Sequence, residues 1–294
     1  MENVKKPIGI VVDEAADLTK EIIDKYNIGV VPLNVHWPEI ENIPGDNIYQ
    51  KIKELEKRGD KSFGKTSQPS PKAFIDVFTR QLDSFEEIIS LSITSKHSGT
   101  YNSACQAKKF MGENGNRIFP VDTLNASAGT SLIVFKLIDL VEKGLKTEAI
   151  LKELEVFMSQ IRLYILVESP SRLEASGRLS PMLANWFRNF QKMGIRPLLG
   201  FKEGKLGPIG VKKSKDMVST LLDEYEGKTK SFRSENKKIW VAITHGDDVA
   251  GAEKLKGLLE GLGNVEVKLV NLADNVLGTL VGPGALVLAW APAG

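Results

Sequence analysis

Short apolar runs alternate with amphipathic stretches along the first half of the chain. A short apolar run predicts a buried strand, and apolar residues three or four positions apart predict a helix. This alternation is typical of parallel strands joined by crossover helices. In chain order the pattern predicts the strand 7–12, the helix 19–26, the strand 28–35, the helix 70–82, the strand 87–93, the helix 99–110, the strand 117–123 and the helix 126–144. The first half therefore predicts an α/β fold, a three-layer domain with a mostly parallel sheet.

The second half of the chain predicts a different arrangement. After a helix at 147–161 and a strand at 163–169, two short apolar runs flank the turn at 203–205. Such a pair of runs predicts a β-hairpin, and hairpins belong to antiparallel sheets. We therefore expect an N-terminal α/β domain at residues 1–164 and a C-terminal α+β domain at residues 165–294.

The composition fits a globular protein of two domains, because 294 residues exceed the size at which one core usually keeps growing. Basic and acidic residues are interspersed and the net charge is +2, so the sequence carries no signature of nucleic-acid binding. The single cysteine, Cys105, excludes an intramolecular disulfide. The start resembles no signal peptide, and no apolar run approaches about 18 residues, so we expect a cytoplasmic protein without a transmembrane segment.

The stretch TSKHSGTYNSA, which follows a predicted strand, holds six hydroxyls and one histidine. One interpretation is a serine hydrolase with Ser95 or Ser98 as nucleophile, His97 as base and Asp122 as a third member. The sequence has no G-x-S-x-G nucleophile elbow. The other interpretation is an anion site at the start of the following helix, where unpaired backbone N–H groups favour a negative group.

A second hydroxyl-bearing stretch, KTSQPSP, leads into another predicted helix of the same domain. Ser70 and Pro71 form a good helix start, and Thr66 and Ser67 precede them. The two stretches predict hydroxyls that converge on one anion.

Other candidate sites are weaker. Arg178, in ASGRLSP between two predicted helices, is either a guanidinium fork for a carboxylate or phosphate or an ordinary surface arginine. His245, Asp247 and Asp248 are the best group for a metal, but the acids more plausibly start the next helix, and we expect no metal. Neither a dinucleotide fingerprint nor a P-loop is present, so we expect no cofactor.

Six stretches, in order and spacing, resemble the DegV family of bacterial fatty-acid-binding proteins: VDEAADL, KTSQPSP, TSKHSGTYNSA, VDTLNASAG, SGRLS and GTLVGPGAL. The resemblance implies two domains that enclose one long-chain fatty acid, with the carboxylate held mainly by Thr66 and Ser98. The expected fatty-acid site consists of Thr66, Ser67, Ser95, Ser98, Gly99, Thr100, Arg178, Leu280 and Gly282.

The resemblance also implies a partner, because some members of the family present the fatty acid to a separate ATP-dependent fatty acid kinase. Two positions depart from the family pattern. Glu14 stands where the family usually has a small hydroxyl residue, and Leu280 stands where it usually has a histidine near the carboxylate. We expect lipid binding to be kept and presentation to a kinase to be impaired, unless His36 or another group supplies the missing donor.

The leading hypothesis is thus a non-enzymatic carrier of one long-chain fatty acid, such as palmitate or oleate, that presents the carboxylate to a kinase subunit. The alternative is a serine hydrolase that acts on acyl esters through Ser98 and His97. A third hypothesis, a binder of sugar or polyol phosphates, requires a cavity with polar walls.

Overall fold

The computed structural model describes residues 5–214 and 216–293. Its strands are β1 (Lys6–Asp13), β2 (Gly29–Val31), β3 (Asn34–His36), β4 (Lys65–Ser67), β5 (Phe85–Ser92), β6 (Ile118–Asp122), β7 (Arg162–Leu166), β8 (Arg196–Lys202), β9 (Lys205–Lys212), β10 (Ile239–His245), β11 (Val265–Leu272) and β12 (Leu286–Pro292). Its α-helices are α1 (Lys20–Tyr26), α2 (Pro38–Glu41), α3 (Ile48–Lys57), α4 (Pro71–Ser84), α5 (Thr100–Phe110), α6 (Ala128–Glu142), α7 (Thr147–Gln160), α8 (Ser171–Ala175), α9 (Pro181–Lys192), α10 (Met217–Ser234), α11 (Val249–Glu260) and α12 (Asn275–Val281).

The first sheet has four parallel strands in the order β2-β1-β5-β6. Helices α4 and α5 pack on one face, where Phe74, Phe78 and Ala104 cover Ile88. Helix α6 covers the other face, so the predicted three-layer α/β arrangement is confirmed. Because the strands are parallel, β1, β5 and β6 all end at the same edge, and the hydroxyl-rich stretch follows β5 there.

The second sheet has six strands in the order β11-β10-β12-β7-β8-β9. Only β10 and β11 pair in parallel, and β8 and β9 form the predicted antiparallel hairpin. Residue 164, the predicted end of the N-terminal domain, lies within β7, whose neighbours β12 and β8 belong to the second sheet. The division of the chain at that residue stays a prediction.

Helix α6 joins the two halves of the molecule. Its apolar residues Leu132 and Ile133 belong to one continuous core that also contains Leu91 of β5 and Val287 of β12. A helix buried on nearly all sides carries apolar residues around its whole circumference, as the stretch SLIVFKLIDLV does. The two sheets therefore share a core and face each other across this helix.

A segment of the N-terminal half, residues 34–67, reaches over the C-terminal half. Its core of Trp37, Tyr49 and Ile52 packs with Ala273, and the Tyr49 hydroxyl donates a hydrogen bond to the Ala273 carbonyl at 3.1 Å. The segment also contains the two-stranded sheet β3-β4. The single strand predicted at 28–35 is wrong, because the chain is divided there into β2 of the first sheet and β3 of this one. Strand β4 was not predicted, since its three residues are too few to show an apolar period. Thr66 lies on β4, so this segment carries one hydroxyl motif toward the second sheet.

Among the described residues, no helix is both long and apolar enough to cross a membrane.

Candidate functional site

A partly open cavity of about 320 Å³ lies between the two halves of the molecule. Its walls are mostly apolar, and most of the apolar side chains come from the C-terminal half. The apolar lining consists of Leu33, Ile93, Ala126, Ile165, Leu173, Phe201, Leu206, Ala273, Val276, Leu277, Leu280, Val281 and Val287. The volume lies near the lower end of the range for small-molecule sites, about 300 to 1,000 Å³. We call this space the inner cavity.

The polar part of the inner cavity brings the two hydroxyl motifs together. Thr66 and Ser67 of β4 and Ser98 and Gly99 at the start of α5 all line it. Ser98 Oγ lies 2.7 Å from Thr100 Oγ1 and accepts a hydrogen bond from the Thr100 backbone N–H. The two hydroxyl motifs thus border one space, at the start of a helix that follows the carboxyl end of the sheet.

Arg178 adds a positive charge to this group. It lies in the loop between α8 and α9, and its Nη2 donates a hydrogen bond to Thr66 Oγ1 at 3.1 Å. Its Nη1 donates to the Ser176 carbonyl at 3.0 Å, which fixes the plane of the guanidinium. Burial lowers the pKa of Arg178 from its ordinary value, but an arginine remains charged at neutral pH. We call Thr66, Ser98, Thr100 and Arg178 the hydroxyl cluster; it can receive an anion.

Gly99 makes the convergence of the two motifs possible. A Cβ added at this position would lie 2.7 Å from the side-chain amide of Gln68, which follows β4. A larger residue would therefore displace the Gln68 side chain from its position beside the start of α5. Gln68 also lines the inner cavity. It was not among the predicted site residues, because the prediction relied on the hydroxyl residues on either side of it.

His97 lines the cavity, but its contacts do not fit a catalytic base. Its Nε2 accepts a hydrogen bond from the backbone N–H of Leu206 at 2.7 Å. This bond assigns the ring proton to Nδ1 in the neutral form, and burial together with the nearby Arg178 lowers the pKa of His97.

The serine hydrolase alternative finds no support in this arrangement. Among the described residues, no hydrogen bond joins Ser98 to His97, and the Asp122 carboxylate accepts from the backbone N–H groups of Ser95 and Leu124. A nucleophilic serine needs a base within hydrogen-bond reach.

Three of the predicted site residues do not border the inner cavity. Ser95 is held outside by the bond from its backbone to Asp122. Thr100 is fully buried behind Ser98, so it supports the cluster through its hydroxyl. Gly282 ends α12 with a φ of 76°, a conformation that favours glycine, and an added Cβ would lie 2.9 Å from the Arg172 side chain.

A model of the DegV family, described as uncharacterised proteins, matches residues 7–293. The chain belongs to the DegV family. It is 31% identical over 246 residues to a DegV domain-containing protein of Clostridium perfringens, covering 80% of this chain and 86% of that one. It is also 29% identical over 292 residues to the fatty acid-binding protein of Thermotoga maritima, covering 95% and 96% of the two chains. The structure of a DegV family protein from Thermus thermophilus, described by its fatty acid binding, has 26% identity and a TM-score of 0.79, with 97% and 99% of the chains covered.

Leu280 marks one position where this chain departs from the expected DegV pattern. It lies on α12, is 8% exposed and lines the inner cavity, at the position where we expected a histidine. His36, the proposed substitute, is exposed on β3 and pairs in register with Lys65. The imidazole that borders the cavity is His97 instead.

Glu14, the other departure, acts away from the cavity. Its Oε2 accepts a hydrogen bond from the backbone N–H of Leu33 at 3.1 Å. The carboxylate thus joins the end of β1 to the chain after β2, and a shorter hydroxyl side chain would not span that gap.

A second polar group, which the sequence did not reveal, lies where the two halves meet. Asp17 accepts hydrogen bonds from the Ser127 hydroxyl and, at 2.8 Å, from the backbone N–H of Asp274. Ser127 Oγ also lies 2.5 Å from Thr244 Oγ1. These contacts hold Ser127 at φ 53° and ψ −133°, a strained conformation for a residue other than glycine.

The carboxyl groups of this acidic cluster, Asp13, Asp17 and Asp274, are all perturbed. Burial raises the pKa of Asp13 and of Asp274 to about 7, despite backbone hydrogen bonds that favour their charged forms. Burial and the neighbouring Asp274 raise the pKa of Asp17. Asp274 Oδ2 is enclosed without a hydrogen-bond partner among the described residues. The cluster therefore binds protons more tightly than ordinary carboxylates do.

The stretch around His245 forms a helix start, as the sequence analysis favoured. The Asp248 side chain accepts from the backbone N–H of Gly251 at 3.0 Å and caps α11. Asp247 pairs with Lys53 at 2.8 Å. Within 5–214 and 216–293 there is no group of three or more His, Cys, Asp and Glu side chains arranged to hold a metal ion.

Proposed function

We propose that this chain binds one long-chain fatty acid in the inner cavity as a carrier, with the carboxylate at the hydroxyl cluster and the acyl chain along the apolar walls. The observation that carries the proposal is the polar group of Thr66, Ser98 and Arg178, which lines a cavity whose walls are mostly apolar. The fatty acid binding ascribed to the Thermotoga and Thermus relatives supports the same ligand class.

The energetics favour a ligand with a long apolar tail. Burial of an acyl chain of about sixteen carbons contributes about 11 kcal/mol gross, at about 0.8 kcal/mol per methylene. Loss of translational, rotational and side-chain freedom offsets part of this. The tail therefore supplies most of the affinity, and the apolar walls argue against sugar or polyol phosphates.

The hydroxyl cluster determines the direction of the ligand. Hydrogen bonds to a charged group contribute about 1.5 to 3 kcal/mol each, and a guanidinium matches a carboxylate in geometry and charge. A bound carboxylate would replace Thr66 as an acceptor of Arg178 or share the arginine with it. Reversal of the fatty acid would bury the carboxylate against aliphatic side chains, which is strongly unfavourable.

The decisive experiment is a search for a co-purified ligand. The protein is purified from a bacterial host, denatured, extracted with organic solvent and analysed by mass spectrometry, and the delipidated protein is titrated with palmitate and oleate. We expect about one fatty acid per chain and tight uptake of both. Absence of fatty acid in the extract together with no uptake of added palmitate would disprove the proposal.

A role in presenting the carboxylate to an ATP-dependent fatty acid kinase is a finer part of this proposal. Leu280 offers the head group no hydrogen bond and no proton where the DegV resemblance leads us to expect a histidine. Leu280→His should leave palmitate affinity within a few fold but raise the rate of acyl-phosphate formation with a DegV-associated kinase, because orientation affects the rate more than ground-state binding. Rapid acyl-phosphate formation by the unmodified protein, with no gain from Leu280→His, would contradict the deficit.

A further inference from the structure

A second space borders the inner cavity on the side of the β8–β9 hairpin. It is a larger groove of about 800 Å³, and Phe201 lines both spaces. The groove has an apolar floor that includes Met158, Leu163 and Ile209. Three basic and three acidic side chains also line it, namely Arg162, Lys202, Lys228, Glu155, Glu203 and Glu224. We call it the outer groove; its balanced charge gives it no preference for an anion.

Three elements pass from the outer groove directly to the inner cavity. In the loop after β6, Leu124 and Asn125 line the groove, and the next two residues, Ala126 and Ser127, line the cavity. On β7, Leu163 faces the groove and Ile165 the cavity, two positions further along the same face of the strand. On the hairpin, Ile209 lines the groove and Leu206 the cavity. The two spaces are thus neighbours along a shared wall.

Phe201 forms part of this wall, and the contacts of the β8–β9 hairpin fix its position. It pairs across the hairpin with Leu206, and its ring centroid lies 6.0 Å from that of His97. The hairpin is bonded to the loop after β5 at two points, because Thr94 Oγ1 donates to the Gly204 carbonyl at 2.8 Å and Leu206 N–H donates to His97. Phe201 is only partly buried, as expected for a side chain with open space on both sides.

We infer that Phe201 divides one apolar channel into two and so limits the length of the acyl chain that this protein binds, the outer groove being the site for the distal methylenes of longer chains. The inference rests on the proposed function, since it requires a fatty acid in the inner cavity. Removal of the aromatic ring would join the two spaces. Each additional methylene that is then buried raises affinity about fourfold.

The test compares delipidated wild-type protein with Phe201→Ala in titrations with saturated fatty acids of 16, 20 and 22 carbons. We expect the wild type to prefer the 16-carbon acid and Phe201→Ala to raise the affinity for the 22-carbon acid, relative to the 16-carbon acid, at least about tenfold. Phe110→Ala is the matched control, because Phe110 is 70% exposed and lines neither space. It should leave the ratio of the two affinities unchanged. Phe201→Leu tests the same point should the alanine variant not fold.

A second substitution tests whether the longer acyl chain extends into the outer groove in Phe201→Ala. Ile209 is 42% exposed and lines only the groove, so Ile209→Glu places a carboxylate there without reaching the inner cavity. In the Phe201→Ala background, Ile209→Glu should cancel the gain for the 22-carbon acid and leave palmitate binding intact. The inference is overturned if wild-type protein binds both acids equally well, if Phe201→Ala leaves the ratio unchanged while palmitate binds, or if Ile209→Glu has no effect on the longer chain. Failure of the wild type to bind any fatty acid would instead overturn the proposed function.

Discussion

The hydroxyl cluster and the acidic cluster both join the two halves of the molecule, but they are built differently. In the hydroxyl cluster, Thr66, Ser98 and Arg178 line the inner cavity, where we propose that the carboxylate binds. In the acidic cluster, Asp17 is 3% exposed and its carboxylate oxygens accept bonds from Ser127 and Asp274. A polar group that keeps free hydrogen-bonding capacity beside a cavity can bind a ligand, whereas one whose partners all belong to the protein stabilises the fold. Substitutions in the first cluster should therefore change binding, and those in the second should change stability.

The largest expected effect is that of Asp17→Ala on stability. The substitution leaves the buried Asp274 backbone N–H without this acceptor, while the Ser127 hydroxyl keeps Thr244 as a partner. We expect the free energy of unfolding to fall by about 3 kcal/mol, because an unsatisfied buried donor costs about 1 to 3 kcal/mol. Urea denaturation monitored by circular dichroism measures this. The control is Asp24→Ala, which breaks only an exposed pair with Lys20 and should cost less than about 0.5 kcal/mol. Equal losses in the two variants would show that the acidic cluster is not a structural link.

The next effect is a pH dependence of stability. The pKa of Asp274 is raised to about 7 in the folded protein, so between about pH 4 and pH 7 the folded state keeps a proton that the unfolded state has lost. The resulting stabilisation is fully present below about pH 4 and is lost as the pH rises through about 7. Asp274→Asn keeps the side-chain oxygen that caps α12 at Leu277 and removes the titrating group. Denaturation midpoints measured from pH 4 to pH 8 should vary less in this variant, and an unchanged slope would contradict the assignment.

Arg178→Met should weaken binding without loss of stability. The substitution keeps much of the aliphatic side chain but removes the guanidinium, so palmitate affinity should fall about 10- to 100-fold. Titration of delipidated protein measures this. Arg188→Met is the matched control, because Arg188 pairs with Glu174 and does not line the inner cavity. Equal palmitate affinity in the wild type and Arg178→Met would place the carboxylate elsewhere in the cavity.

The smallest expected effects belong to the hydroxyls themselves. Thr66→Val and Ser98→Ala each remove one hydrogen bond while preserving most of the local shape, and each should weaken palmitate binding about tenfold, at the lower end of the range for a bond to a charged group. Methyl palmitate provides the contrast, because its uncharged ester gains less from these donors. A fall in affinity of the same size for acid and ester would show that the variants disturb the cavity walls and not the head-group site.

The sequence by itself determined the strands and crossover helices of the parallel sheet, the hairpin at 203–205 and the helix start at Ser70. These features depend on local signals: the period of apolar residues, a glycine in a turn and a capping hydroxyl. The motifs around Thr66 and Ser98 were likewise visible, because hydroxyls beside a helix start form a recognisable pattern in the sequence. The predicted strand 28–35 covered β2 and part of β3 but did not show that they are separate strands. The three-residue strand β4 was not visible, since so short a segment has no period and forms only through its pairing partner.

Only the tertiary structure decided which of these residues share a space. It brought Arg178 within 3.1 Å of Thr66, across more than a hundred positions of sequence, and it turned Ser95 and Thr100 away from the cavity. It also placed Phe201 between two spaces and buried Asp17 beside Asp274. None of these three residues was among the predicted site residues. Contacts of this kind depend on how the two sheets pack around α6. That packing results from many apolar contacts between distant parts of the chain, and no single stretch of sequence specifies it.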